Sequence, residues 1–566
     1  MTSRPLRELG QGEFDVVIVG GGIFGICLAW EAASRGLSVA LAERGDFSGA
    51  TSANSFKMVH GGIRYLQHAD LPRIRESCDE RRSLLRAAPH LVRPLPILIP
   101  TYGHGTRGKA FLRAGLMLYE LLTLDKNRGL RDPARRIPPP RIVSRGECLG
   151  LFPALESPGL TGGAVFHDGQ MYNPTRLALS FLRSAIEAGA RAANYLEVTG
   201  FVVHQGRVLG VKARDVFTGA DLEIRARLVI NAAGPWAEAL LEQLPIALPR
   251  RRSVFSRDAC FVVTRRLTPD CALAVPGATS DPDALLSRGK RHLFLVPWRR
   301  YTLVGVWHVV HQGPPGRFTV SPDEIRSFIR EINAACPALG LKPEDVSRWN
   351  AGLVLFGQNE PAARDLRYAH RSTVIDHEAD HGIAGLLTVI GVRYTTARGV
   401  ACRVIDRVFT KMGRRPPPSR TDSTPVFGGD FDSFDRLELE ARGGEASRMS
   451  EDVRTALLRN YGARYRDVLR YLKDEPALGE PIGSFTTLRA EVPHAIHHEM
   501  AVTLGDVVFR RTDLATGEYP GDENVSACAR LMARELGWDE ARIEREIRSV
   551  RETFPDLART IQTESG

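Results

Sequence analysis

Three short runs contain residues whose types and spacing can do chemistry. Gly20-Gly21-Gly22-Ile23-Phe24-Gly25 is a G-x-G-x-x-G run. Its first glycine permits a tight turn, and its second lets backbone N–H groups approach a pyrophosphate. Gly25 lets a helix pack closely on the preceding strand, and the start of that helix adds partial positive charge. Glu43 stands 18 residues beyond Gly25, where a carboxylate can take both ribose hydroxyls. That favours FAD or NAD over a 2′-phosphorylated nucleotide. The second run, His60-Gly61-Gly62-Ile63-Arg64, sets an imidazole that titrates near neutrality four residues before a guanidinium. His60 is therefore a candidate proton acceptor, or a group that only hydrogen-bonds cofactor or backbone. Arg64, in a glycine-rich loop, reads as a binding group. The third run, Asn231-Ala232-Ala233-Gly234-Pro235-Trp236, is either a second cofactor-side turn through Gly234 or a plain strand-ending turn.

These residues need particular elements to position them. Phe14–Gly20 is a continuous apolar run, as expected of a strand buried on both faces of a parallel sheet. Ile23–Arg35 reads as a helix stopped by Gly36, and Ser38–Glu43 as a second strand, which completes a βαβ unit. Farther on, Arg207–Arg214, Ala220–Ala226 and Leu228–Ala232 read as strands, and Arg176–Ala188 and Arg398–Met412 as helices. Proline clusters punctuate 138–140 and 416–418, and beyond about Gly428 the chain turns helical and highly charged, as in Glu451–Tyr461, Tyr465–Leu472 and Asp539–Phe554. The expected fold is α/β, with a linker at 413–430 and a helical C-terminal domain over 431–566.

At ~100–200 residues per domain, 566 residues imply two or three domains. A hydrophobic content of 43% and a charged content of 25% exclude wholesale disorder and fibrous structure. No apolar run reaches the ~18–20 residues of a spanning helix, and Met1–Gly12 lacks the apolar core of a secretory signal. The eight cysteines form no CxxC pair and no His-rich cluster, so reduced thiols in a cytoplasmic protein without a metal site are expected. The net charge of +10 suits nucleic acid, an anionic membrane or an anionic metabolite without choosing among them.

The segment Thr51–Leu66, with Thr51-Ser52, Ser55, Lys57 and His60-Gly61-Gly62-Ile63-Arg64-Tyr65-Leu66, resembles the FAD-dependent, quinone-linked glycerol-3-phosphate dehydrogenase family, whose block reads T-S-x-x-S-x-K-x-x-H-G-G-x-R-Y-L. Dispersed agreement at Asn231–Trp236, Thr395-Thr396, Arg510-Arg511-Thr512 and Glu535–Trp538 extends the resemblance over nearly the whole chain. It implies a Rossmann-like FAD-binding domain (roughly 13–100, 160–245 and 365–412), an interleaved β-rich substrate domain (roughly 100–160 and 246–365) and a helical cap. It implies oxidation of glycerol 3-phosphate to dihydroxyacetone phosphate, with electrons passed to quinone at the inner face of the cell membrane.

By the same resemblance Thr51, Ser52, Ser55, Lys57, Thr395 and Thr396 lie along the FAD. Arg64, Tyr65, Arg371 and Arg393 face the substrate phosphate. Two departures stand out. The G-G-K-x-T-T motif is here Gly391-Val392-Arg393-Tyr394-Thr395-Thr396, and the arginine of Y-S-G-V-R-P-L is Val354. Val354 opens two alternatives: a diverged flavoenzyme for an amine, amino acid or other hydroxy acid, and a weakly catalytic binding or redox-sensing flavoprotein.

Ala110–Thr123 is an apolar helical stretch with basic residues Arg107 and Lys109 before it, fit for a buried core or a membrane interface, and the resemblance favours the interface. Pro249-Arg250-Arg251-Arg252 lacks nearby stacking aromatics, so it reads as a solvated run or a lipid contact and not as a nucleic-acid site. The C-terminal helices, with interleaved charges such as those over 540–548, read as a solvated cap. A homodimer stays an open expectation.

Overall fold

The computed structural model describes residues 4–554 apart from 104–107, 156–157, 247, 249–252, 281, 283–289, 317, 361–362 and 364. The basic cluster at 249–252 and Arg107 lie outside the described residues.

The apolar run forms strand β1 (Glu13–Val19), with Val16, Val17 and Ile18 fully buried, and helix α1 (Ile23–Ser34) follows it. The helix stops as Gly36 takes a left-handed φ of +83°, a conformation that suits glycine. Strand β2 (Val39–Ala42) returns parallel to β1. On the other side of β1, Asp221–Asn231 pairs in parallel with Val19 opposite Asn231, and Leu386–Ile390 continues the sheet. Asp221–Asn231 is one strand, whereas the sequence suggested two with a break at Arg227. Its outer half alternates buried and exposed, so Arg225 and Arg227 point to solvent without interrupting the ladder.

Helices Ile23–Ser34, Pro174–Glu187 and Ala397–Lys411 cover one face of this sheet around Leu28, Trp30, Phe181 and Val404. The hairpin Leu196–His204 with Arg207–Asp215 shares the core of the other face with Leu9 and Val17. The result is the Rossmann-like layered arrangement expected of the first domain, with helices on one face of the parallel sheet and the hairpin on the other.

A second, nine-stranded and mostly antiparallel sheet carries Phe255–Val263, Ala272–Ser280, Lys290–Trp298, Tyr301–His311 and Val346–Leu355. It also takes Val92–Tyr102 and Leu160–Met171, which lie mostly within the segments expected in the first domain. Pro94, Pro96 and Pro100 argue against a strand when read alone. Here all three share one parity, and the strand on the second edge covers only Ile97 and Leu98. The missing N–H groups therefore cost few ladder bonds.

The C-terminal helices, including Glu451–Tyr461, Glu491–Glu499, Asp522–Leu536 and Glu540–Glu552, enclose two small cores around Leu457 and Val507. The cap is not merely solvated, as its charges suggested. Arg176 donates through Nη1 to both carboxylate oxygens of Glu499 at 2.7 Å, and Arg299 pairs with Asp513 at 2.6 Å. Asp46, just after β2, is gripped by Arg510 and Arg511. All eight cysteines are free thiols. Among the described residues no helix is long and apolar enough to cross a membrane. Helix Lys109–Leu122 buries Leu112, Leu116 and Tyr119 while exposing Met117, Leu118 and Leu121.

Candidate cofactor and substrate site

A cavity of about 1110 Å³ runs from the glycine-rich turn to the second sheet. That is at the top of the usual ~300–1,000 Å³ range for small-molecule sites. Gly20, Gly22, Glu43, Thr51, Ser52, Ser55, His60, Gly234, Arg393 and Thr395 all line it.

At one end the glycines are dictated by contact. Gly20 has φ +105°, and a Cβ there would stand 2.7 Å from the Ala232 carbonyl oxygen. A Cβ on Gly25 would meet the Gly20 carbonyl oxygen at 1.8 Å, so only glycine lets α1 approach β1. The parallel register brings the Asn231–Trp236 turn beside the first turn. Glu43 accepts from the N–H groups of Gly21 (2.6 Å) and Gly45 (2.8 Å), while burial pushes its carboxyl up. Each of its oxygens retains a lone pair for a hydroxyl. Ser52 Oγ accepts from the N–H of Ile23 at the helix start, and Thr51 Oγ1 donates to the Leu353 carbonyl, which joins this segment to the second sheet. Ser55 Oγ is buried without a partner. Paired turns at a helix N-terminus, a strand-end carboxylate and an unsatisfied hydroxyl fit a dinucleotide such as FAD.

The His60-Gly61-Gly62 loop is pinned by residues that sequence reasoning missed. Asp168 accepts from the Gly61 N–H at 2.6 Å and from Arg81 Nη1 at 2.5 Å, and Tyr119 donates to the Gly61 carbonyl at 3.0 Å. A Cβ on Gly61 would lie 2.3 Å from both Arg81 and Tyr119, and Gly62 has φ +81°. A lone arginine on a helix and a lone aspartate on a strand give no local signal that they meet. Burial, followed by the fields of Arg393, Arg64, Arg81 and Arg73, pushes the His60 imidazole down to about 3. It is a neutral ring held among guanidiniums.

Arg393 donates to Tyr65 Oη at 3.0 Å and to the His370 carbonyl at 2.7 Å, and its guanidinium lies 5.2 Å from the Tyr65 ring centre. Arg73 covers the same ring at 4.2 Å and reaches His370 Nδ1 at 2.7 Å. Tyr65 is buried and acts on the site through Arg393. Arg64 and Arg291 lie over Tyr368 at 4.6 and 4.1 Å. Arg371 is exposed and does not line the cavity.

Val354 and Asp258 line the facing wall. Asp258 stands opposite both Gly352 and His308 in the strand register, and its Oδ1 is 2.7 Å from His308 Nδ1. This acid–imidazole pair also escaped sequence reading, because its members lie 50 residues apart on two strands.

Two expected cofactor contacts fall elsewhere. Lys57 has a left-handed φ of +60°, which turns its side chain away from the large cavity to stack on Trp298. Thr396 is buried behind Thr395, its Oγ1 donating to the Arg393 carbonyl. Arg510 enters the cavity wall from the cap.

Residues 15–398 match the family model described as FAD dependent oxidoreductase, and residues 419–543 match the C-terminal domain of alpha-glycerophosphate oxidase. A glycerol-3-phosphate dehydrogenase of Synechocystis is 31% identical over 97% of this chain and 98% of its own length. The mitochondrial glycerol-3-phosphate dehydrogenase of Bos taurus is 30% identical over 95% of this chain and 73% of its own. The fold is shared with the Bacillus halodurans glycerol-3-phosphate dehydrogenase complexed with FAD, at a TM-score of 0.73 and 24% identity over 98% of each chain. With a family model over residues 15–398 and relatives 30–31% identical over at least 95% of its length, the chain belongs to the FAD-dependent glycerol-3-phosphate dehydrogenase family.

Proposed function

We propose that this protein oxidises the secondary hydroxyl of glycerol 3-phosphate, or of a similar phosphorylated polyol, giving dihydroxyacetone phosphate or the corresponding ketone. One observation carries the reading: Arg393 and His60 line the same cavity as the dinucleotide turn. The names of the full-length relatives support it. FAD, when bound, supplies a two-electron acceptor. Arg393, fixed by Tyr65 and the His370 carbonyl, holds the phosphate, with Arg64 adding positive field. His60, neutral at working pH through burial and the nearby guanidiniums, takes the hydroxyl proton; a bound dianion offsets the guanidinium part of that effect. The Thr51–Ser55 segment and Thr395 hold the cofactor side.

Electrons leave to a quinone, and the exposed Met117, Leu118 and Leu121 on Lys109–Leu122 form the face that rests on the membrane. The protein then works at the cytoplasmic side. Anaerobic addition of glycerol 3-phosphate should bleach the flavin absorbance and yield one ketone per flavin; an unchanged spectrum defeats the assignment.

A second reading rests on the wall that holds Val354 and the Asp258–His308 pair, where a carboxylate suits an amine or amino acid better than a phosphate ester. Val354→Arg separates the two. Faster bleaching by glycerol 3-phosphate in the variant marks a diverged relative, and bleaching of wild type by amines alone supports the second reading.

A further inference from the structure

A second cavity, of about 470 Å³, lies behind the Thr51–Lys57 segment, between the second sheet and the cap. Lys57, Arg348, Asn350 and Thr503 line it. The Lys57 ammonium is buried, stacks on Trp298 at 4.6 Å and finds only the Ser55 carbonyl at 3.4 Å. Arg348 donates to the Ala515 carbonyl at 2.8 Å and lies over Phe509 at 4.6 Å. Neither cation has a carboxylate partner among the described residues. Asn350 is buried beside the Cys260 sulfur, and its Nδ2 has no oxygen acceptor among the described residues. The acid on the rim, Glu546, is engaged by Arg542 (2.7 Å) and the Leu504 N–H (2.9 Å), while Arg510 is neutralised by Asp46 and Asp506.

Two enclosed cations without a carboxylate, beside an amide whose neighbour is a thiol, are a costly arrangement unless an anion completes it. We propose that this cavity is a second binding site, for a compact dianion of the phosphate or phosphomonoester class, held by Lys57, Arg348 and the Asn350 amide. Burial holds Lys57 at about 8 and Arg348 at about 10, and a dianion there restores both toward ordinary values. Because Lys57 belongs to the segment that lines the cofactor cavity and Thr503 lines the same space from the cap, the anion fills the gap between the two. It therefore stabilises the assembled protein by mass action.

The test uses FAD-loaded Arg393→Met protein, in which the substrate-side anion site is weakened, titrated calorimetrically with inorganic phosphate and separately with a phosphomonoester. One equivalent should bind, with affinity at least tenfold weaker once Arg348→Met is added. Tighter binding of the monoester identifies a phosphorylated metabolite as occupant, and equal affinity identifies free phosphate. Absence of binding, or affinity unchanged by Arg348→Met, overturns the proposal. Should that variant fail to fold, wild-type crystals soaked in tungstate decide: an anomalous peak between Lys57 and Arg348 is required, and its absence overturns the site. Because the anion is read by heat or scattering rather than turnover, the result stands apart from the substrate assignment.

Discussion

The two ends of the large cavity are built by different means. At the cofactor end, backbone does the work: Gly20, Gly22, Gly25 and Glu43 lie within one βαβ unit, and Gly20 and Gly25 are fixed by contacts within that unit and with the adjoining Ala232 turn. At the substrate end, side chains do it: Arg393, Tyr65, Arg73, His60, Asp168, Asp258 and His308 arrive from separate elements. A site made of one contiguous turn tolerates little change, because Gly20 and Gly25 each answer a steric limit set by backbone. A site assembled from distant side chains can exchange one group for another, as with Val354 in place of the family motif's arginine, without disturbing the fold. Cofactor use is thus held fast while substrate chemistry can drift.

The comparison breaks most severely at Asp46, which anchors the cofactor end to the cap. Asp46→Ala leaves Arg511 buried and unpaired and should cost ~3–5 kcal/mol, read as a large drop in denaturant midpoint. Burial alone would push the Asp46 carboxyl up; Arg511 and Arg510 outweigh it and hold it at about 2. Its folded value therefore lies below the unfolded ~3.9, so its contribution is complete above that pH and is lost as pH falls toward 2. The variant should lack this acid-sensitive portion.

Next in size, Gly25→Ala presses a methyl onto the Gly20 carbonyl and should cost ~1–3 kcal/mol of overpacking. Flavin-to-protein absorbance should fall in the purified variant, and full flavin occupancy would contradict the steric account. At the other end, Arg393→Met should weaken glycerol 3-phosphate binding by ~1.5–3 kcal/mol, roughly 10- to 100-fold in KM, with flavin content unchanged. Loss of flavin in that variant would erase the distinction between the ends. The smallest effect belongs to Tyr65→Phe, which removes one hydrogen bond to Arg393, ~0.5–1.5 kcal/mol. Steady-state kinetics should show a several-fold rise in KM.

What could be read in advance follows the same division. Gly20, Gly22, Gly25, Glu43 and Gly234 are where their spacing put them, since turn, helix start and strand end are consecutive in the chain. His60, Ser52, Ser55, Arg393 and Thr395 also reach the cavity, on the strength of the family block. Lys57 does not, because a left-handed backbone at that residue sends its side chain behind the segment, and no spacing rule reports a φ angle. Arg81, Asp168 and Tyr119 could not be found, since a buried ion pair looks like any surface charge until its partner is known.

By itself the amino-acid order determined the βαβ unit, the dinucleotide turn and the helical character of the last quarter of the chain, for apolar periodicity and glycine placement act over a few residues. The tertiary structure alone decided that Val92–Tyr102 and Leu160–Met171 join the second sheet, that Asp258 meets His308, and that the cap locks onto Asp46. Those outcomes depend on strand pairing and charge burial between residues from 50 to 465 positions apart, where the partner is chosen by packing and not by proximity along the chain.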